Sequence, residues 1–531
     1  MPDKFTVLVT DPIDQEGLRP LSEHPGLDVR VSLSPGAEKL AELLPGVQAW
    51  LVRSETKVTA QWMEKAPALR IIGRAGVGVD NIDVATASRR GIAVINAPQA
   101  NTIAACEHTW GLILALSRNI PQADADMKQG KWERARWMGT ELQGKTLGVV
   151  GLGRIGREVA KRGLAFGMRV LAFDPYISQE QARGLGAALL PLRELLEQSD
   201  FVTLHVPGSD QTRGLVNAET LQHVKRGARL INCARGELVE EAALAEAIRS
   251  GRLAGAALDV FAKEPLPADS PLRGLPSLIL TPHLGASTME AQRKVAEELS
   301  KGILEFYERG LARYALNLPG FDPDTLESLG PYLELGEKLG AFVGQMLDSG
   351  LREVRTVFHG DFEERHRHPV SVAVLKGVLS SILAQGVGFI NAPILARERG
   401  IKTSDAADPA TLEGYSRLLD VAAVTDQGEI RVSGAILSQA PRIVRLGDLV
   451  VDVRPKGRMV VLTNQDQPGM IGRVGTLLGR HGVNISDMRV GRHAPKAQAV
   501  MVLSVDEDVS PEAQRELGQI PGVTSVRWVK L

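Results

Sequence analysis

Three residues near the middle of the chain have the types that oxidation of a 2-hydroxy acid requires: a base for the hydroxyl proton, an acid to orient that base, and a cation for the carboxylate. Arg235 follows the apolar run Leu230–Ala234, Glu264 comes just after Ala256–Val260, and His283 ends Leu278–Thr281. If these runs are parallel strands, all three side chains fall at carboxyl ends, the edge where open α/β sheets bind ligands. A planar guanidinium at Arg235 can fork a carboxylate. A carboxylate at Glu264 would fix the tautomer of His283 and stabilise the imidazolium formed when that ring takes a proton. Each residue alone has a plainer reading: a surface ion pair, a loop acid before a proline, a helix-entry residue. Their joint placement argues for chemistry.

A hydride acceptor is indicated upstream. Gly151-x-Gly153-x-x-Gly156 follows the apolar run Thr146–Val150, opens a helical pattern, and has Asp174 closing the next apolar run. The first glycine permits a tight turn, the second lets backbone N–H groups approach a pyrophosphate, and the third allows close packing of helix on strand. The helix N-terminus adds partial positive charge. Asp174 can accept from both ribose hydroxyls and would repel a 2′-phosphate, so the pattern predicts NAD as cofactor.

The elements that must position these groups alternate along the chain. Short β-rich runs at Phe5–Thr10, Leu27–Ser32, Gln48–Arg53, Leu69–Gly73 and Ala93–Asn96, with helical patterns between them, predict one parallel α/β unit. A helix over Thr102–Ser117 leads to a second unit with strands at Phe201–Val206, Leu230–Ala234, Gly255–Val260 and Leu278–Thr281. A long helix, Thr288–Arg309, and the exit at Asn317-Leu318-Pro319 are expected to cross back onto the first unit. Pro319–Pro323 reads as a linker. Leu326–Val453 is a mixed α+β segment with a helix at Leu326–Leu347 and a strand at Val354–His359, and Ser371–Ile390 reads as a buried helix rather than a membrane span. After the turn-rich Arg454–Gly457, the last residues read strand, helix, strand, strand, helix, strand.

Bulk properties set limits. At 531 residues the chain exceeds one hydrophobic core. A net charge of −1 gives no general attraction for nucleic acid or anionic membrane. Two cysteines, Cys106 and Cys233, make no disulfide framework and no four-thiolate metal site, so no metal is expected and a reducing cytoplasm is the simplest compartment. The amino terminus lacks a signal-peptide pattern.

The stretches Gly151-Leu-Gly-Arg-Ile-Gly156, Asn232-Cys-Ala-Arg-Gly-Glu237, Asp259-Val-Phe-x-x-Glu264-Pro and Thr281-Pro-His-Leu-Gly-Ala-Ser-Thr288 closely resemble the D-2-hydroxyacid dehydrogenases over residues 1 to about 318. The resemblance implies His283 as acid/base, Glu264 as its partner and Arg235 as carboxylate binder. It also implies Arg154 and Ile155 on the pyrophosphate and Asp174 on the ribose. Val206, Cys233, Ala234 and Asp259 would surround the nicotinamide half, with Val77, Gly285, Ala286, Arg235 and His283 completing the cofactor site. Val206 stands where some members have Thr, which leaves a backbone contact there. Glu264 argues against the formate dehydrogenase branch, which lacks that role.

Gly73-Arg-Ala-Gly76, Val79-Asp-Asn81 and Lys131-Trp-Glu-Arg134 are similar to the members that act on 3-phospho-D-glycerate. That likeness implies that Arg53 and Arg74 pair with a substrate phosphate, that the Gly76 and Val77 amides face the carboxylate, and that Arg134 reaches a neighbouring subunit's site. Otherwise the arginines are ordinary surface residues. Asn101 and Thr102 either line this cleft or cap the helix that starts there.

Near the carboxyl end, Asn464-Gln-Asp466-Gln-Pro-Gly469 and Gly482-Val-Asn484-Ile485 resemble ACT domains, βαββαβ modules that bind amino acids at interfaces. The likeness implies a pocket for L-serine lined by Asn464, Asp466 and Asn484, and a homodimer or homotetramer. A ferredoxin-like packing domain is the plainer alternative. The segment before it is similar to the intervening domain of long-form family members.

The expected architecture is therefore α/β with two doubly wound parallel-sheet domains, one flavodoxin-like and one Rossmann, followed by an α+β intervening domain and a βαββαβ ACT domain. The boundaries expected are 1–98 with 288–318 for substrate, 99–287 for NAD, 319–455 for the intervening domain and 456–531 for the ACT domain. The expected activity is NAD-dependent oxidation of 3-phospho-D-glycerate at C2, opening L-serine synthesis under feedback by L-serine. A hydroxypyruvate or glyoxylate reductase would use the same triad, and an NAD-sensing corepressor keeps the same fold.

Overall fold

The computed structural model describes residues 4–310, 312, 315–318, 323–384, 386–411, 414–492, 494 and 497–531, with the backbone alone for 323–328. The linker expected at 319–323 lies, apart from Pro323, outside the described residues.

The first sheet holds five parallel strands in the spatial order Leu27–Val31, Phe5–Val9, Ala49–Val52, Ile71–Arg74, Ala93–Asn96. This is the 2-1-3-4-5 order of flavodoxin-like sheets. Its strands Phe5–Val9 and Ala49–Val52 are buried at every position because both faces are covered. Val7, Val9, Leu51 and Ile71 face Val295, Leu299 and Ile303 of the helix Met289–Arg309, while Leu8, Trp50 and Ile72 face Leu40, Leu44 and Met63. The long helix thus returns to the first unit as expected. The exit follows it: Asn317 accepts from the Val94 amide at 3.0 Å and donates to the Ile92 carbonyl at 2.8 Å.

The second sheet holds seven parallel strands in the order Leu278–Leu280, Leu253–Leu258, Ala228–Asn232, Phe201–Leu204, Thr146–Val150, Arg169–Phe173, Ala188–Leu189. Strand order reverses between Thr146–Val150 and Phe201–Leu204, the switch point where such sheets open a ligand crevice. Helix Thr102–Arg118 backs this sheet, packing Cys106, Trp110 and Ile113 on Leu147, Val149 and Ile231.

Three of these strands end two residues before the expected positions, which moves site residues onto loops. Ala228–Asn232 stops because the Asn232 side chain takes over: its carbonyl accepts from the Ala234 amide at 3.0 Å and its amide donates to the Arg235 carbonyl at 2.8 Å. Cys233, Ala234 and Arg235 therefore sit on the turn. Val206 and Asp259 likewise follow strands that end at Leu204 and Leu258.

The third sheet has the order Lys402–Asp408, Leu351–Gly360, Arg417–Thr425, Gly428–Leu437, Ala440–Leu446, Leu449–Val453, antiparallel except for its first pair. Helices Pro323–Gln345 and Glu364–Ile382 pack on one face, burying Leu339, Phe342, Val370 and Val374 with Val354, Phe358 and Val421. The expected helix over Ser371–Ile390 is corrected at both ends. It begins at Glu364, and Leu383 is extended at φ −111°, ψ 135°, so Phe389 and Ile390 lie beyond the helix. The apolar run continued past the point where Gly386 and Gly388 favour irregular chain.

The last sheet is antiparallel, in the order Ile485–Arg492, Gln498–Val505, Arg458–Gln465, Val523–Lys530, with helices Met470–Arg480 and Pro511–Gln519 between strands. The element order is the βαββαβ expected. Among the described residues no helix is long and apolar enough to cross a membrane.

Candidate active site

The glycine motif forms a turn that fits a dinucleotide. Gly151 has φ +95°, and a Cβ there would lie 2.7 Å from the His205 carbonyl oxygen. A Cβ on Gly156 would lie 1.9 Å from the Gly151 carbonyl oxygen, so only glycine lets the helix Arg154–Ala165 start this close. Gly153 is different, since a Cβ there meets nothing within 4 Å. The space it leaves fronts the helix N-terminus, where backbone N–H groups and the helix dipole favour a pyrophosphate. Asp174 accepts from the Leu152 and Tyr176 amides, each at 2.9 Å. Arg154 and Ile155 open the helix beside it, and Arg154 reaches the Pro98 carbonyl at 3.4 Å. Cys233 is half-buried, and desolvation pushes its thiol up to about 12, so it stands as a neutral wall rather than a nucleophile.

His283 and Glu264 meet as the sequence predicts. Nδ1 of His283 lies 2.9 Å from Oε2 of Glu264, and the other Glu264 oxygen accepts from the Phe261 amide at 3.1 Å. Burial pushes the Glu264 carboxyl up, but the hydrogen bond and charge of His283 outweigh it and hold the group below its ordinary value. Because the carboxylate can only accept, Nδ1 carries the proton and Nε2 is left free to take one. His283 itself has φ +57°, a left-handed conformation that costs a non-glycine residue on the order of 1 kcal/mol or more. Asp259 maintains it: its backbone carbonyl accepts from His283 at 2.8 Å, and its carboxylate accepts from Leu284 at 2.7 Å and Gly285 at 2.8 Å.

Asp259, which resemblance puts beside the nicotinamide, is fully buried under this loop. Burial pushes its carboxyl up, and donors from His108, Thr281 and Leu284 bring it below the ordinary value. His108 was not singled out from the sequence. Its signal would have been a contact between residues 151 positions apart, which no local spacing carries.

Arg53, Arg74 and Arg235 converge on one cleft of about 560 Å³ between the two parallel-sheet units, which Glu264, His283 and Asn101 also line. Arg235 Nε is 3.3 Å from Asp80, and its Nη1 donates to the Ala234 carbonyl at 2.7 Å. Asn81 donates to the Arg53 carbonyl at 2.8 Å, and buried Asp11 accepts from the Arg53 amide, which fixes that loop. Burial first, and then the charge of Arg235, pulls Arg74 down to about 10, and Arg53 adds to this. A cluster of this kind is matched by a multiply charged anion. Gly76, at φ +151°, lets Arg74 fold over it, because a Cβ there would overlap the guanidinium. Val77 and Ala286 line the same cleft. Asn101 does not cap its helix; its side-chain oxygen is buried and unpartnered. Arg134 lies on an exposed segment and is not brought into the cleft within one chain.

The ACT-like residues fall at two places. Asn464 and Asp466 lie at the end of Arg458–Gln465, whereas Asn484 precedes Ile485–Arg492 and donates to Asp506 at 2.6 Å, beyond the far end of Gln498–Val505. Seven residue steps of strand separate them, about 20 Å. One chain therefore does not assemble the three into a pocket. Asn464 is buried with its side-chain oxygen unpartnered. Asp466, expected to line the serine pocket, is paired with Arg492 at 2.7 Å. Among the described residues no cluster of three or more His, Cys, Asp or Glu is arranged to hold a metal ion.

Residues 110–285 match the family described as D-isomer specific 2-hydroxyacid dehydrogenase, NAD binding domain, residues 328–447 match the D-3-phosphoglycerate dehydrogenase intervening domain, and residues 458–522 match the ACT domain. The chain is 44% identical to the D-3-phosphoglycerate dehydrogenase of Synechocystis sp., over 99% of this chain and 94% of that one. It is 40% identical to that of Bacillus subtilis, over 99% of this chain and 100% of that one. The crystal structure of D-lactate dehydrogenase from Aquifex aeolicus, complexed with NAD and lactic acid, aligns with TM-score 0.52 at 30% identity, covering 57% of this chain and 95% of that one. With its NAD-binding sheet, its arginine cleft and these full-length likenesses, the chain belongs to the D-3-phosphoglycerate dehydrogenases.

Proposed function

We propose that this enzyme oxidises 3-phospho-D-glycerate at C2 to 3-phosphohydroxypyruvate, and that Arg235, Glu264 and His283 carry the reaction. The observation that carries the reading is the convergence of three guanidiniums beside the His283–Glu264 pair in one cleft. NAD, when bound at the glycine turn, supplies the hydride acceptor. Nε2 of His283 takes the hydroxyl proton while Glu264 offsets the imidazolium charge across Nδ1. Arg235 holds the carboxylate and polarises the forming carbonyl. Arg53 and Arg74 bind the phosphate, and Gly76 and Val77 offer amides to the carboxylate. Arg134 serves a neighbouring subunit's cleft. Replacing Arg53 by Met tests this: kcat/KM for the phosphorylated acid should fall about 100-fold, with reduction of hydroxypyruvate within threefold of wild type. Equal losses on both would remove Arg53 from phosphate recognition.

The domain boundaries proposed are those read from the sequence, with the cleft between 1–98 plus 288–318 and 99–287 closing to exclude water. The intervening domain is 319–455 and the ACT domain 456–531. L-serine is the proposed effector. Since Asn464 and Asn484 lie at opposite ends of one sheet, the pocket is taken to form between ACT domains of two copies, which supports a homodimer or homotetramer. Two free cysteine thiols suit a cytoplasmic enzyme.

A further inference from the structure

We infer that His108 is a positioning residue for this reaction, setting the geometry of His283 through Asp259. Nε2 of His108 lies 3.1 Å from Oδ1 of Asp259 and 3.2 Å from Oγ1 of Thr281. Thr281 donates to the same Asp259 oxygen at 2.6 Å. That carboxylate is fully buried and takes the amides of Leu284 and Gly285, while the Asp259 carbonyl takes the amide of His283. One residue thus receives three consecutive N–H groups from the loop that carries the proton acceptor. A buried carboxylate needs its lone pairs filled and its charge matched, and the basic side chain in contact with it is His108.

The direction of each bond follows from the donors available. Asp259 can only accept, so Nε2 of His108 carries hydrogen, shared between Asp259 and Thr281. His108 projects from Thr102–Arg118, whose other side chains Cys106, Trp110 and Ile113 are locked in the core behind the NAD-binding sheet. The helix gives the imidazole a fixed origin, and the imidazole holds the Asp259 carboxylate at a fixed angle to the loop. His108 and Asp259 do not line the cleft, so the effect reaches the substrate through the loop that carries His283, whose backbone there is left-handed. Loss of the bond frees the loop to relax, which displaces Nε2 of His283 without removing any group that binds substrate. Displacements of this size cost turnover rather than affinity.

The inference rests on His283 as the proton acceptor, and the test separates the two. In the full-length enzyme, His283→Ala should abolish turnover of 3-phosphoglycerate with the thermal midpoint retained; retained turnover would overturn both the assignment and the inference. His108→Phe should then lower kcat 10- to 100-fold with KM for both substrates within threefold. His108→Gln, whose side-chain N–H reaches the place of Nε2–H, should recover most of that loss. Equal losses in the Phe and Gln variants, with a matching fall in thermal midpoint, would overturn the inference in favour of a packing role. A His108→Phe enzyme with kcat within twofold of wild type would overturn it outright.

Discussion

Oε2 of Glu264 stands 2.9 Å from Nδ1 of His283, and this separation ties the proton acceptor to a charge that persists into acid. Glu264→Gln keeps an acceptor for Nδ1–H but removes the charge, so kcat/KM should fall about 10- to 100-fold. Glu264 is held below its ordinary 4.5, so its interaction with His283 is fully present above that pH and is lost only as pH falls through the lower folded value. The gap between wild type and variant should persist down to about pH 4.5 and narrow below it. Profiles of kcat/KM against pH for the two enzymes check this; a gap that closes near neutrality would contradict it.

Arg74 carries a cost that the proposed substrate phosphate would relieve. Its side chain is half-buried, its buried Nε has no partner, and it is drawn down to about 10 by desolvation and by Arg235 and Arg53. Because this lies below the ordinary 12.5, the cost is complete below about pH 10 and is relieved as pH rises beyond it. Arg74→Met should raise the thermal midpoint of the ligand-free protein while lowering kcat/KM for the phosphorylated acid about 100-fold or more. Melting curves with and without substrate decide it: a lower ligand-free midpoint would show that Arg74 stabilises the fold.

Asp174 is engaged by two backbone amides, so it shapes the turn proposed to hold the ribose. Asp174→Ala should raise KM for NAD about 10-fold and let NADP support turnover, since repulsion of a 2′-phosphate goes with the carboxylate. Paired kinetics with the two cofactors test this; an unchanged NAD preference would place the discrimination elsewhere.

Asn464 and Asn484 give a prediction that needs two copies of the chain. Each single Ala variant should lose most serine inhibition, with uninhibited turnover near wild type. Mixed assemblies of the two variants should regain part of it, because one interface then joins an intact Asn464 to an intact Asn484. Inhibition titrations of the separate and mixed variants provide the test, and mixtures no better than the parents would contradict a shared pocket.

Much of the site was legible because its residues lie where local rules act. Gly151 and Gly156 each answer a steric demand of one turn, and Arg235, Glu264 and His283 each follow a strand whose end the apolar runs placed within two residues. The strand ends were less legible, because Asn232 ends its strand by side-chain bonding that an apolar run does not announce. The His108–Asp259 contact and the Asp466–Arg492 pair bridge distant segments, and no periodicity carries them. The Ser371–Ile390 reading went wrong where hydrophobicity outlasted the helix.

The arginine cleft beside His283 is proposed to be built for a phosphorylated hydroxy acid. The direct measurement is NADH formation by the full-length enzyme from 3-phospho-D-glycerate and from D-glycerate under the same conditions. kcat/KM should be at least about 100-fold higher for the phosphorylated acid, as expected when half-buried guanidiniums lose their charge partner. Comparable turnover of the two acids, or a preference for D-glycerate, would contradict it.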